Sequence, residues 1–69
     1  PDGYTATQAM TFYKACKKEH ISKPEQFRKK TVKVKEIASA YEFSKDLELD
    51  VLFGMFEIGY GLLNGKEKN

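Results

Sequence analysis

Three segments of this chain repeat apolar residues at the spacing of an α-helix, and the third does so on nearly every side. In the first, Ala6, Ala9, Met10, Tyr13, Cys16 and His20 recur three or four apart, with Lys14, Lys17 and Lys18 on the remaining surface. That spacing predicts a helix over about residues 6–19. Thr5-Ala-Thr-Gln8 fits a capping box, in which a Thr hydroxyl and a Gln side chain three residues on satisfy the orphan backbone donors of the first turn.

The second segment opens at Ser22-Lys-Pro-Glu25, which reads as another capping box. Ser22 is the cap, Pro24 stands in the first turn where its missing N–H does no harm, and Glu25 reaches back. Phe27, Thr31, Val34, Ala38 and Tyr41 then form a stripe with Ile37 alongside. Thr31-Val-Lys-Val-Lys alternates and is β-branched, so it also fits a strand. A lone strand has nothing to pair with here, which favours helix. A break near Lys30–Thr31, dividing the segment into two helices, is a second expectation.

The third helix is expected to start with Asp46 as cap and Glu48 in its first turn. It ends at Asn64-Gly65, where Gly tolerates a left-handed residue. Leu49, Leu52, Phe53, Phe56, Tyr60 and Leu63 make one face; Val51, Met55, Ile58 and Leu62 make most of another. A helix apolar all round is buried all round, yet two short helices cover little more than half of one. Either a further short helix covers the second face, or another copy or a partner does. The second reading is preferred, and Gly54, Gly59 and Gly61, each costing up to about 1 kcal/mol in a helix interior, add modest support, since they fit close packing against the backbone as well as a bend. Residues 1–4 and 65–69 are expected to fray.

Composition sharpens this reading. The chain has 69 residues and one cysteine, hence one domain at most, with marginal stability and no internal disulfide. Oligomerisation is one of the usual remedies for so small a core. A lone thiol suits a reducing compartment, and no signal-peptide pattern is visible, so a cytoplasmic protein is expected. Leu47–Leu63 is shorter than the roughly 20 residues of a membrane span and carries Asp50 and Glu57, so no membrane role is expected. Charge is split along the chain. Residues 14–35 hold nine Lys/Arg against Glu19 and Glu25, a net +7, whereas residues 36–64 hold six acids against Lys45, a net −5. Each half can attract a different partner.

Candidate chemistry is sparse. Cys16 and His20 lie four apart, but zinc takes four ligands and the chain has no other Cys or His; a core thiol and a boundary imidazole are expected instead. Glu57, between Phe56 and Ile58, is the acid expected to be partly buried, as the polar edge of an interface. No nucleophile signature or phosphate-cradling Gly loop is present. Val34-Lys-Glu-Ile-Ala-Ser-Ala-Tyr-Glu-Phe-Ser-Lys-Asp46 resembles the middle of a helix-turn-helix unit, which would imply DNA reading by the helix after Asp46. Glu42 stands where that pattern usually has Gly, and Asp46, Glu48 and Asp50 would meet phosphates with repulsion.

The sequence thus predicts an all-α protein, a small bundle of three or four helices in a single domain, without catalytic activity, cofactor or metal. It is expected to act by binding a protein, most simply a second copy of itself, through Leu52, Phe53, Met55, Phe56, Ile58 and Tyr60. The alternative is a nucleic-acid-binding regulatory protein using Lys14, Lys18, Arg28, Lys29, Lys30 and Lys33, whose phosphate contacts would give affinity without sequence specificity. Within residues 14–35 Lys outnumbers Arg eight to one, which weakens bidentate base recognition. A third use of that segment is attraction to the acidic half of a neighbour.

Overall fold

The capping box at Thr5 forms as the sequence implies. The Gln8 N–H donates to Thr5 Oγ1 at 3.2 Å and the Thr5 N–H donates to Gln8 Oε1 at 2.8 Å. It opens the first of four helices in the computed structural model, which describes residues 4–65: α1 (Ala6–Lys18), α2 (Pro24–Lys29), α3 (Thr31–Ser39) and α4 (Leu49–Asn64). No strand occurs among the described residues, so Thr31–Lys35 is helical. The expected fraying of residues 1–3 and 66–69 lies outside them. Tyr4 and Gly65 are described, and Tyr4 is partly buried against the core rather than loose.

α1 ends in a Schellman motif that the sequence pattern hides. The Ile21 N–H donates to the Cys16 carbonyl at 2.9 Å and the His20 N–H to the Lys17 carbonyl at 3.0 Å, the paired bonds of that closure. His20 takes the left-handed position, at φ 67°, where glycine is the usual occupant. Buried Ile21 and Cys16 supply the accompanying apolar contact. His20 is therefore outside α1, not on its inner stripe.

The break between the second and third helices falls at Lys30 (φ −122°, ψ 47°), which ends α2 and precedes α3. The cap of α2 differs from expectation. Its N-cap is Lys23, and Gln26, not Glu25, reaches back: Gln26 Oε1 accepts from the Ser22 N–H at 2.8 Å and the Lys23 N–H at 3.1 Å. Lys has no acceptor to return, so only half of a reciprocal box exists.

α4 begins at Leu49 with Glu48 as N-cap, and no side chain caps it. Asp46 lies three residues before the helix, in the connection, because Ser44 fixes that segment differently. The buried Ser44 Oγ donates to the Ala38 carbonyl at 2.9 Å, and turn bonds from Tyr41 to Leu47 close the rest. Nine residues, 40–48, separate α3 from α4, too many for the three- or four-residue joint of a helix-turn-helix. That resemblance does not extend to the structure. At the other end Gly65 is right-handed, at φ −63°, so the expected left-handed stop is absent there.

α1 and α4 form the principal contact. Tyr4 lies beside Gly54 and Ala9 beside Gly59, while Tyr13 meets Tyr60 and Asn64. Contacts advance together along both helices, so the two run in the same sense and α2 and α3 carry the chain back. A Cβ at Gly59 would stand 2.5 Å from the Ala9 carbonyl oxygen and 2.6 Å from Tyr13 Cβ; only glycine lets the helices come this close. Phe12, Cys16, Ile21, Phe27, Val34 and Ala38 complete the core around Leu52, Met55 and Phe56. Among the described residues no helix is long and apolar enough to cross a membrane.

Candidate functional site

The apolar circumference of α4 divides unequally in the fold. Leu52, Met55, Phe56 and Gly59 turn inward and are buried. Phe27 packs on this face at 5.0 Å from Phe53 and 5.2 Å from Phe56, ring centre to ring centre, while Tyr13 lies 5.2 Å from Phe56 and 5.8 Å from Tyr60. Such aromatic pairs contribute about 0.5–1.5 kcal/mol each beyond their buried area. Tyr13 also ties the end of α4 down, since its hydroxyl donates to the Ser22 carbonyl and accepts from Asn64 Nδ2, both at 3.3 Å.

Of the six residues that the sequence assigns to a partner surface, Leu52, Met55 and Phe56 are core residues, fully enclosed within this chain. Phe53 and Tyr60 are half-buried and pack against the core. Ile58 alone is exposed, at 43%, and the residues that accompany it are Leu62 and Leu63, 50% and 41% exposed. Burial does not follow the two faces expected from the sequence: Met55, assigned to the second, is enclosed, and Leu63, assigned to the first, is exposed. No signal in the sequence separates the covered side: Gly59 and Gly61 are both set among large residues, yet only Gly59 lies against α1. Ile58 lies about 100° round the helix from Gly59, Leu62 about 60° and Leu63 about 40°. Glu57, expected at a buried edge, is exposed. Val32, on α3, is 74% exposed and stands apart from this group in sequence and element.

A cleft of about 380 Å³ opens at the other end of α4, lined by Phe27, Arg28, Thr31, Leu49, Asp50 and Phe53. The Arg28 guanidinium lies 4.9 Å over the Phe53 ring. A cation so placed is drawn to the ring's negative face. Asp50 stands in the first turn of α4, where the helix dipole favours a carboxylate. Neither Arg28 nor Asp50 belongs to an ion pair among the described residues. The cleft is thus lined by two aromatic rings and one residue of each charge.

The basic residues are spread over three helices. Lys14 and Lys18 are exposed on α1, Arg28, Lys29 and Lys30 at the end of α2, and Lys33 on α3. Lys33 is engaged with Glu19 at 3.5 Å and Glu36 at 3.7 Å, exposed pairs of a kind that contribute about 0–1 kcal/mol. Cys16 and His20 are not brought together: the thiol is buried, and burial pushes its pKa up to about 12, while His20 is exposed beyond the helix end. Among the described residues no group of three or more His, Cys, Asp or Glu could hold a metal ion. The chain matches no protein-family model, no curated protein and no solved structure.

Proposed function

We propose that this is a non-catalytic interaction protein that self-associates through the outer, C-terminal part of α4. The observation that carries this reading is the exposure of Ile58, Leu62 and Leu63 within two turns of one helix, since clustered exposed apolar residues mark interaction surfaces. Fully burying such a side chain is worth roughly 1.5–3 kcal/mol. Three that are already about half covered would supply roughly 2–5 kcal/mol per copy. Association itself costs at least about 4 kcal/mol, so the assembly is weak and concentration-dependent. The non-catalytic reading is supported by how the reactive groups are disposed. Cys16 is enclosed, and the Ser44 hydroxyl is committed to the Ala38 carbonyl.

Light scattering across a dilution series tests the proposal. The mass should rise with concentration in the wild-type protein and stay at one chain for Ile58→Glu and Leu62→Glu, with helix content unchanged. A wild-type mass of one chain at every concentration would refute it.

A second reading, contact with nucleic-acid phosphates, is favoured by Lys14, Lys18, Lys29 and Lys30, which pair with no acid among the described residues. It requires binding to single- or double-stranded DNA that weakens steeply with salt. Neutralising Lys29 and Lys30 should reduce that binding; no binding at low salt would exclude it.

A further inference from the structure

We draw no further inference here: the strongest candidate, the cleft at the start of α4 lined by Phe27, Arg28, Thr31, Leu49, Asp50 and Phe53, carries a residue of each charge, and nothing in the structure shows what fills it.

Discussion

Gly59 and Gly61 sit two residues apart on α4 and teach opposite lessons. An added Cβ at Gly59 collides with the backbone of α1, whereas one at Gly61 meets nothing within 4 Å. The first glycine is dictated by packing, and it locates the buried face that holds Leu52, Met55 and Phe56. The second gives up helix propensity on the outer side, among Ile58 and Leu62, with no contact inside the chain to explain it. The two faces of one helix therefore answer to different demands. The inner is fixed by the core of this molecule, whereas the outer has no such constraint within the chain.

That contrast can be broken most forcefully at Phe56, fully buried against Tyr13 and Phe27. Phe56→Ala should destabilise the fold by about 3–5 kcal/mol, read from urea unfolding. A loss below about 1 kcal/mol would mean that the inner face is not the core. Gly59→Ala should cost about 1–3 kcal/mol through overpacking, despite the better helix propensity of Ala. Gly61→Ala should instead gain up to about 1 kcal/mol, and thermal melts of the two variants should shift in opposite directions. The same logic of local conformation applies at His20. There His20→Gly removes the left-handed penalty and should stabilise by about 1 kcal/mol, raising the melting temperature by roughly 4–8 °C in a domain of this size.

The smallest effect at neutral pH belongs to Cys16. Its thiol stays protonated in the fold up to about pH 12, against an ordinary value of 9.0. The folded form thus holds the proton more tightly than the unfolded form. The stability linked to it is complete below pH 9 and is lost as pH climbs from 9 toward 12. At pH 8 the native thiol should resist a disulfide reagent and react at the rate of unfolding. Rapid labelling without unfolding would place Cys16 outside the core.

Much of the fold was legible in the sequence because the signals were local. The Thr5 box, Pro24 at the start of α2 and the stripe from Thr31 to Ala38 register where helices lie, although the stripe also runs across the break at Lys30 and on to Tyr41, past the end of α3. The misplacements share a cause: two neighbouring residues each offered the right chemistry. Ser22 and Lys23 competed to precede α2, with Glu25 and Gln26 as rival partners, and with Lys23 as cap the third helical position falls on Gln26. Asp46 was the better cap by composition, but the Ser44 bond to Ala38 holds that stretch as a turn and delays α4 to Leu49. His20 gave no sign of a left-handed residue, since Gly and Asn are the usual indicators. The partner surface was the least legible. A helix apolar on both sides does not disclose which side its own chain covers, and only Leu62 and Leu63 beside Ile58, seen in the fold, delimit the remainder.

The central claim is that this remainder is a contact surface, and methyl NMR on selectively labelled Ile, Leu and Val reads it residue by residue across a concentration series. The methyls of Ile58, Leu62 and Leu63 should shift progressively with concentration, while buried Leu52 and the isolated, exposed Val32 stay fixed. Shifts at Val32 with none at Ile58 or Leu62, or no concentration dependence at any methyl, would contradict it.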